Sequence, residues 1–133
     1  MRFLALLVIL ASAFVGAAWA QDPPNIEPQA LSERMESGDT ELLVLDVRST
    51  AEFDEGHIPG AINIPHDVLG ERIAEIGPVG ERDVVVYCRS GRRATIALET
   101  LKGAGFSRLF HLEGDYLRWS EEDRSVVRPS AQP

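Results

Sequence analysis

The sequence predicts one α/β domain, a small parallel sheet with helices on both faces. Two observations lead there. Leu42–Leu45 and Val84–Tyr87 are short, unbroken apolar runs, the pattern of strands covered on both sides. Helical stretches alternate with these runs and with weaker strand candidates, as in a parallel sheet joined by crossover helices.

Taken in order, residues 1–20 read as an export signal. Arg2 gives the charged start, Phe3 to Val15 is apolar apart from the hydroxyl of Ser12, and Ala18-Trp19-Ala20 is a small-x-small cleavage site, so cleavage is expected after Ala20. The competing reading is an uncleaved anchor, for which the 18 residues Phe3–Ala20 are at the short limit. Residues 21–27 are a proline-bearing extended leader, and the domain is expected over 28–125. Within it, Pro28–Glu36 carries an apolar stripe of Ala30, Leu31 and Met35. Helices are also expected at Thr50–Glu55, Asp67–Ile76, Arg92–Ala104 and Asp115–Glu122, with the weaker strands at Ala61–Ile64 and Arg108–Leu112. The helix from Arg92 is the best supported: Ala94, Ala97, Leu98 and Leu101 recur at i, i+3, i+4 and i+7, and Gly103 and Gly105 stop it. Residues 126–133 read as a loose tail.

Removing residues 1–20 leaves 113 of 133 residues, one domain's worth, and shifts the net charge from −8 to −9 because Arg2 is the only charge lost. So acidic a chain is poorly suited to nucleic acid or to an anionic membrane surface, and no stable membrane insertion is expected after cleavage. No cofactor and no metal is called for.

Against this acidity stands VVVYCRSGRRATIALETL, Val84 to Leu101, with the chain's one cysteine, Cys88, and the arginines Arg89, Arg92 and Arg93. Exported domains pair their cysteines, and one cysteine cannot form an internal bridge. The bland alternative is a buried thiol acting as a small hydrophobe. Its position argues otherwise. Cys88 falls where a buried strand ends and a helix begins, so several unpaired backbone N–H groups at the helix start can turn towards the sulfur. Those dipoles and the guanidinium groups favour thiolate over thiol. Asp46, at the end of its own strand, offers two roles: partner to an arginine of this loop, or cap of the following turn.

Leu45–Pro65 (LDVRSTAEFDEGHIPGAINIP), Tyr87–Arg93 (YCRSGRR) and Leu112–Trp119 (LEGDYLRW) together resemble the signatures of a rhodanese domain, in the family's order and over most of the mature chain. The resemblance implies a rhodanese-like fold and a single-domain sulfurtransferase in which Cys88 is the nucleophile. It becomes a persulfide between a small anionic donor, thiosulfate being the simplest, and a thiophilic acceptor. It further implies Arg89, Ser90, Gly91, Arg92 and Arg93 as the substrate loop, Arg93 closing it with Asp46 as its partner, and Asp46 and Arg48 as supports. His57 and Trp119 are scaffold under the same resemblance.

The rival class is the cysteine phosphatases with their relatives among arsenate reductases; the tyrosine phosphatase pattern has histidine before the cysteine and arginine six positions after, where this chain holds Tyr87 and Ala94, and the loop is short. Four residues depart from the thiosulfate-specialised, mercaptopyruvate-using or common family patterns: Arg89, Ser90, Glu52 and Asp115. A carrier of persulfide sulfur for a partner protein has the same sequence features as an enzyme.

Overall fold

The computed structural model describes residues 21–129. Five parallel strands, β1 (Asn25–Ile26), β2 (Leu42–Asp46), β3 (Ile62–Asn63), β4 (Asp83–Tyr87) and β5 (Leu109–Leu112), form one sheet in the order β1-β5-β4-β2-β3. The helices are α1 (Pro28–Glu36), α2 (Thr50–Glu55), α3 (Arg92–Gly103) and α4 (Asp115–Glu121). β2 and β4, the two apolar runs, lie side by side with Asp46 opposite Tyr87. Their carboxyl ends, and the loops that follow, therefore form one edge of the sheet. That edge is where ligands bind in such folds.

Alternate residues of these strands face two separate cores. Leu43, Leu45, Val84, Val86 and Cys88 pack with Ala94, Ala97, Leu98 and Leu101 of α3. Val44, Val85 and Tyr87 pack on the other side with Leu31 of α1 and Trp119 of α4. A strand buried on both faces shows no polar alternation, which explains the unbroken apolar runs. Trp119 is buried and donates its Nε1–H to the Ser125 carbonyl, a packing role.

Three expectations are corrected. The leader is not outside the domain: Asn25 and Ile26 pair with His111 and Leu112 as the sheet's edge strand. A two-residue strand carries too little apolar pattern to be read from sequence. The helix expected over Asp67–Ile76 is instead two 3-10 segments, Leu69–Glu71 and Ile73–Ile76, with Gly70 inside the first. Glycine is a weak helix former, and the i→i+3 bonds from Arg72 to Leu69 and from Glu75 to Arg72 replace α-helical ones. The tail is not loose as far as Val127, which exchanges backbone hydrogen bonds with His57 at 3.0 and 2.8 Å. His57 is scaffold: its Nδ1 lies 2.8 Å from the Phe53 carbonyl and its ring stacks on Phe53.

Residues 1–20, with the expected signal and cleavage site, lie outside the described residues. Among those described, no helix is long and apolar enough to cross a membrane.

Candidate active site

Cys88 follows β4 directly and is buried, 1% exposed. Gly91, at the helix boundary with φ +123°, turns the chain so that its N–H donates to Cys88 Sγ at 3.0 Å. Only glycine takes that backbone readily, and a Cβ there would lie 3.2 Å from Asp115 Oδ2. The first intrahelical bond of α3 runs from the Thr95 N–H to the Gly91 carbonyl, so the N–H groups of Arg92, Arg93 and Ala94 have no acceptor within the helix. The result is a sulfur at a helix N-terminus that accepts the Gly91 N–H.

The loop arginines do not act alike. Arg89 and Arg92 are exposed and make no ion pair among the described residues, while Ser90 is exposed at the loop tip. Arg93 is half-buried and paired. Its Nη1 and Nη2 donate to Glu52 Oε1 and Oε2 at 2.7 and 3.0 Å, which corrects the expected pairing of Arg93 with Asp46.

Asp46 instead takes Arg48. Arg48 donates to both carboxylate oxygens, the shortest contact being Nη2 to Oδ2 at 2.6 Å, and Nη2 also donates to the Gly56 carbonyl at 2.7 Å. Both residues are buried, and the guanidinium lies 4.1 Å from the ring centre of Tyr116 on α4. The reason is reach. Asp46 and Arg48 are two apart on an extended segment and share a face, so the near arginine wins over the distant one.

In the sequence Glu52 stands out only as a departure. It sits at the third position of α2, where Ser49-x-x-Glu52 forms a capping box, Ser49 Oγ accepting from the Glu52 N–H at 3.2 Å. That pattern is readable from sequence and would have placed Glu52 at a helix start beside the strand ends. The hydrogen bonds from Arg93 first, with Ser49 adding, hold its carboxyl down to about 2 against the opposing effect of burial. Glu52, Arg89, Tyr116 and Arg128 line a cleft of about 260 Å³ beside the loop. Arg128 comes from the segment expected to be a tail.

The start of α4 holds the loop from its other side. Tyr116 N–H donates to the Cys88 carbonyl at 3.0 Å, Leu117 N–H to the Arg89 carbonyl at 3.1 Å, and the Cys88 N–H donates to Asp115 Oδ1 at 3.0 Å. These contacts join segments 27 or more residues apart, and no local pattern announces them.

A family model described as the rhodanese-like domain matches residues 27–122. The chain belongs to the rhodanese family. A sulfurtransferase of Allochromatium vinosum is 37% identical over 106 residues, 79% of this chain and 95% of that one. A putative sulfur carrier protein of Bacillus subtilis is 33% identical over 102 residues, 76% of this chain but only 53% of its own. Among solved structures, a rhodanese-like domain from Anabaena superposes with a TM-score of 0.72 at 27% identity, covering 84% of this chain and 86% of that one. The rhodanese domain thus serves sulfur handling, as transferase or carrier, and the α/β architecture read from the sequence is the family's own.

Proposed function

We propose that the protein is a sulfurtransferase that moves a sulfane sulfur from a small anionic donor of the thiosulfate type, through a persulfide on Cys88, to a thiophilic acceptor such as cyanide or a thiol. One observation carries this reading: the single thiol of the chain lies at a helix N-terminus, its Sγ accepting the Gly91 N–H at 3.0 Å, in a loop that also carries Arg89 and Arg92, both exposed and without an ion pair among the described residues. A second cysteine nearby would attack a persulfide and release its sulfur, so a solitary thiol suits the intermediate.

The Cys88 thiolate attacks the outer sulfur of thiosulfate. A bond forms between Sγ and that sulfur, the bond to the sulfonyl sulfur breaks, and sulfite leaves with the electron pair. The acceptor, here cyanide through its carbon, then attacks the terminal sulfur. The new C–S bond forms, the Sγ–S bond breaks, and its electron pair returns to Sγ. No external oxidant, reductant or cofactor enters. The Gly91 N–H holds the sulfur, Arg89 and Arg92 draw in the anion, and Asp46 and Arg48 keep the sheet edge rigid. We place the mature protein outside the cytoplasm, in the periplasm, after cleavage following Ala20, on the strength of its apolar start and alanine site.

The test is mass analysis of the protein after incubation with thiosulfate. One added sulfur on the Cys88 peptide, removed by cyanide, is expected. Cys88→Ser should lose both adduct and turnover while keeping the fold, the change being nearly isosteric. Sulfur transfer by the folded serine variant at the wild-type rate would overturn the mechanism. An adduct without appreciable turnover would instead mark a carrier that serves a protein acceptor.

A further inference from the structure

The transfer as written makes no use of Asp115, yet this carboxylate is the buried charged group nearest the cysteine backbone. It is 2% exposed, and its backbone sits at φ +54°, the left-handed region that a residue other than asparagine, aspartate or glycine enters at a cost. Its Oδ1 accepts the Cys88 N–H at 3.0 Å, and its Oδ2 approaches Gly91 closely enough that a Cβ there would meet it at 3.2 Å. The carboxylate is thus wedged between both ends of the cysteine loop. Its one charge partner among the described residues is His111 at the end of the sheet, whose Nε2 lies 3.0 and 3.1 Å from the two oxygens.

We propose that Asp115 and His111 are paired positioning residues for sulfur transfer: Asp115 clamps the Cys88 backbone from the α4 side, and His111 offsets the negative charge that this clamp would otherwise place beside the sulfur. The geometry stands on its own, while the consequence for catalysis rests on the sulfurtransferase reading above. A buried carboxylate without a cation is costly, and it opposes both an anionic sulfur and an anionic donor. A protonated His111 makes the pair neutral overall. The hydrogen bond to Asp115 raises His111 above its ordinary value, against the opposing effect of burial. The other charges near the pair are Glu113 beside it, Arg118 on α4, Arg89 and Cys88 on the loop, and Asp22, Glu99 and Lys102, which line one cleft with His111. Of these, only Cys88 bonds to Asp115, through its backbone N–H.

Two alkylating reagents of similar size test this, because Cys88 is the only thiol. The ratio of the iodoacetate rate to the iodoacetamide rate cancels the thiolate fraction and access to the loop, and reads the charge around the sulfur. His111→Gln keeps a donor for Asp115 but cannot carry the proton. It should lower the ratio about three- to tenfold at about pH 6. Asp115→Asn keeps an acceptor for the Cys88 N–H and suits the left-handed backbone; it should leave the ratio unchanged or higher. The double variant should return to near the wild-type ratio. In the wild type the ratio should fall as pH rises through the His111 titration, and in His111→Gln it should stay flat. An unmoved ratio in His111→Gln, or a double variant as low as that single one, would overturn the proposal. kcat/KM for thiosulfate should follow the ratio. A responsive ratio in a protein that transfers no sulfur would sink the sulfurtransferase reading and leave the pair standing. The reverse result would sink the pair alone.

Discussion

Two arginine–carboxylate pairs flank the cysteine loop, and they differ in nearly everything but chemistry. Asp46 and Arg48 are 0% and 3% exposed, two residues apart, and tied also to the Gly56 carbonyl and the Tyr116 ring. Glu52 and Arg93 are 41 residues apart in sequence, with side chains 33% and 28% exposed, and they join α2 to α3 beside the cysteine loop. A buried pair must be complete, because removing one member strands a charge out of water. A partly exposed pair is screened and worth little to stability, but it can exchange partners with an incoming anion. On the proposed function the first is a brace and the second a gate charge. On that reading one arginine–carboxylate chemistry serves scaffold or site according to burial.

Breaking the brace should have the largest effect. Arg48→Ala leaves Asp46 buried without its cation and should cost about 3–5 kcal/mol, read from urea unfolding, a large part of a small domain's stability. A loss under about 1 kcal/mol would mean that water replaces the guanidinium there and that the two pairs are alike after all.

The gate comes next. Arg93→Ala should change stability by no more than about 1 kcal/mol. It should lower kcat/KM for thiosulfate about tenfold or more, since it removes a cation and leaves the Glu52 carboxylate unopposed beside the cysteine loop. Unchanged kinetics in the folded variant would take Arg93 out of the site and make its pair with Glu52 purely structural.

A smaller change, of opposite sign, should follow from Glu52→Gln. Freeing Arg93 from its anionic partner should raise kcat/KM for thiosulfate about two- to fivefold while leaving the turnover of a neutral donor within error. Equal gains for both donors would point to a change of shape rather than of charge.

The smallest effect is in acid. Glu52 is held down to about 2 in the folded chain from an ordinary 4.5, so its contribution to stability is present above about pH 4.5 and is lost as pH falls from there towards 2. His111, raised above 6.5, runs the other way: its contribution is full below 6.5 and is lost as pH rises through its higher folded value. Thermal midpoints of the Glu52→Gln and His111→Gln variants across pH should flatten one limb each.

Sequence alone determined the parts whose cause is local. The unbroken runs of β2 and β4 follow from burial on both faces, the stripe of α3 from a 3.6-residue repeat, and the start of α2 from Ser49 and Glu52 one turn apart. The place of Cys88 between strand and helix is local too, so the centre of the candidate site is legible in the sequence. Tertiary structure decided the partners. It gave Asp46 to Arg48 and Arg93 to Glu52, brought Asp115 and His111 against the loop, and turned Asn25–Ile26 into an edge strand. Each of these depends on which chain ends meet at one edge of the sheet. An aspartate reads the same in sequence whether its cation is two residues away or forty. The physical reason is that charge-assisted bonds are chosen by distance and burial, which the folded chain sets and the order of residues does not.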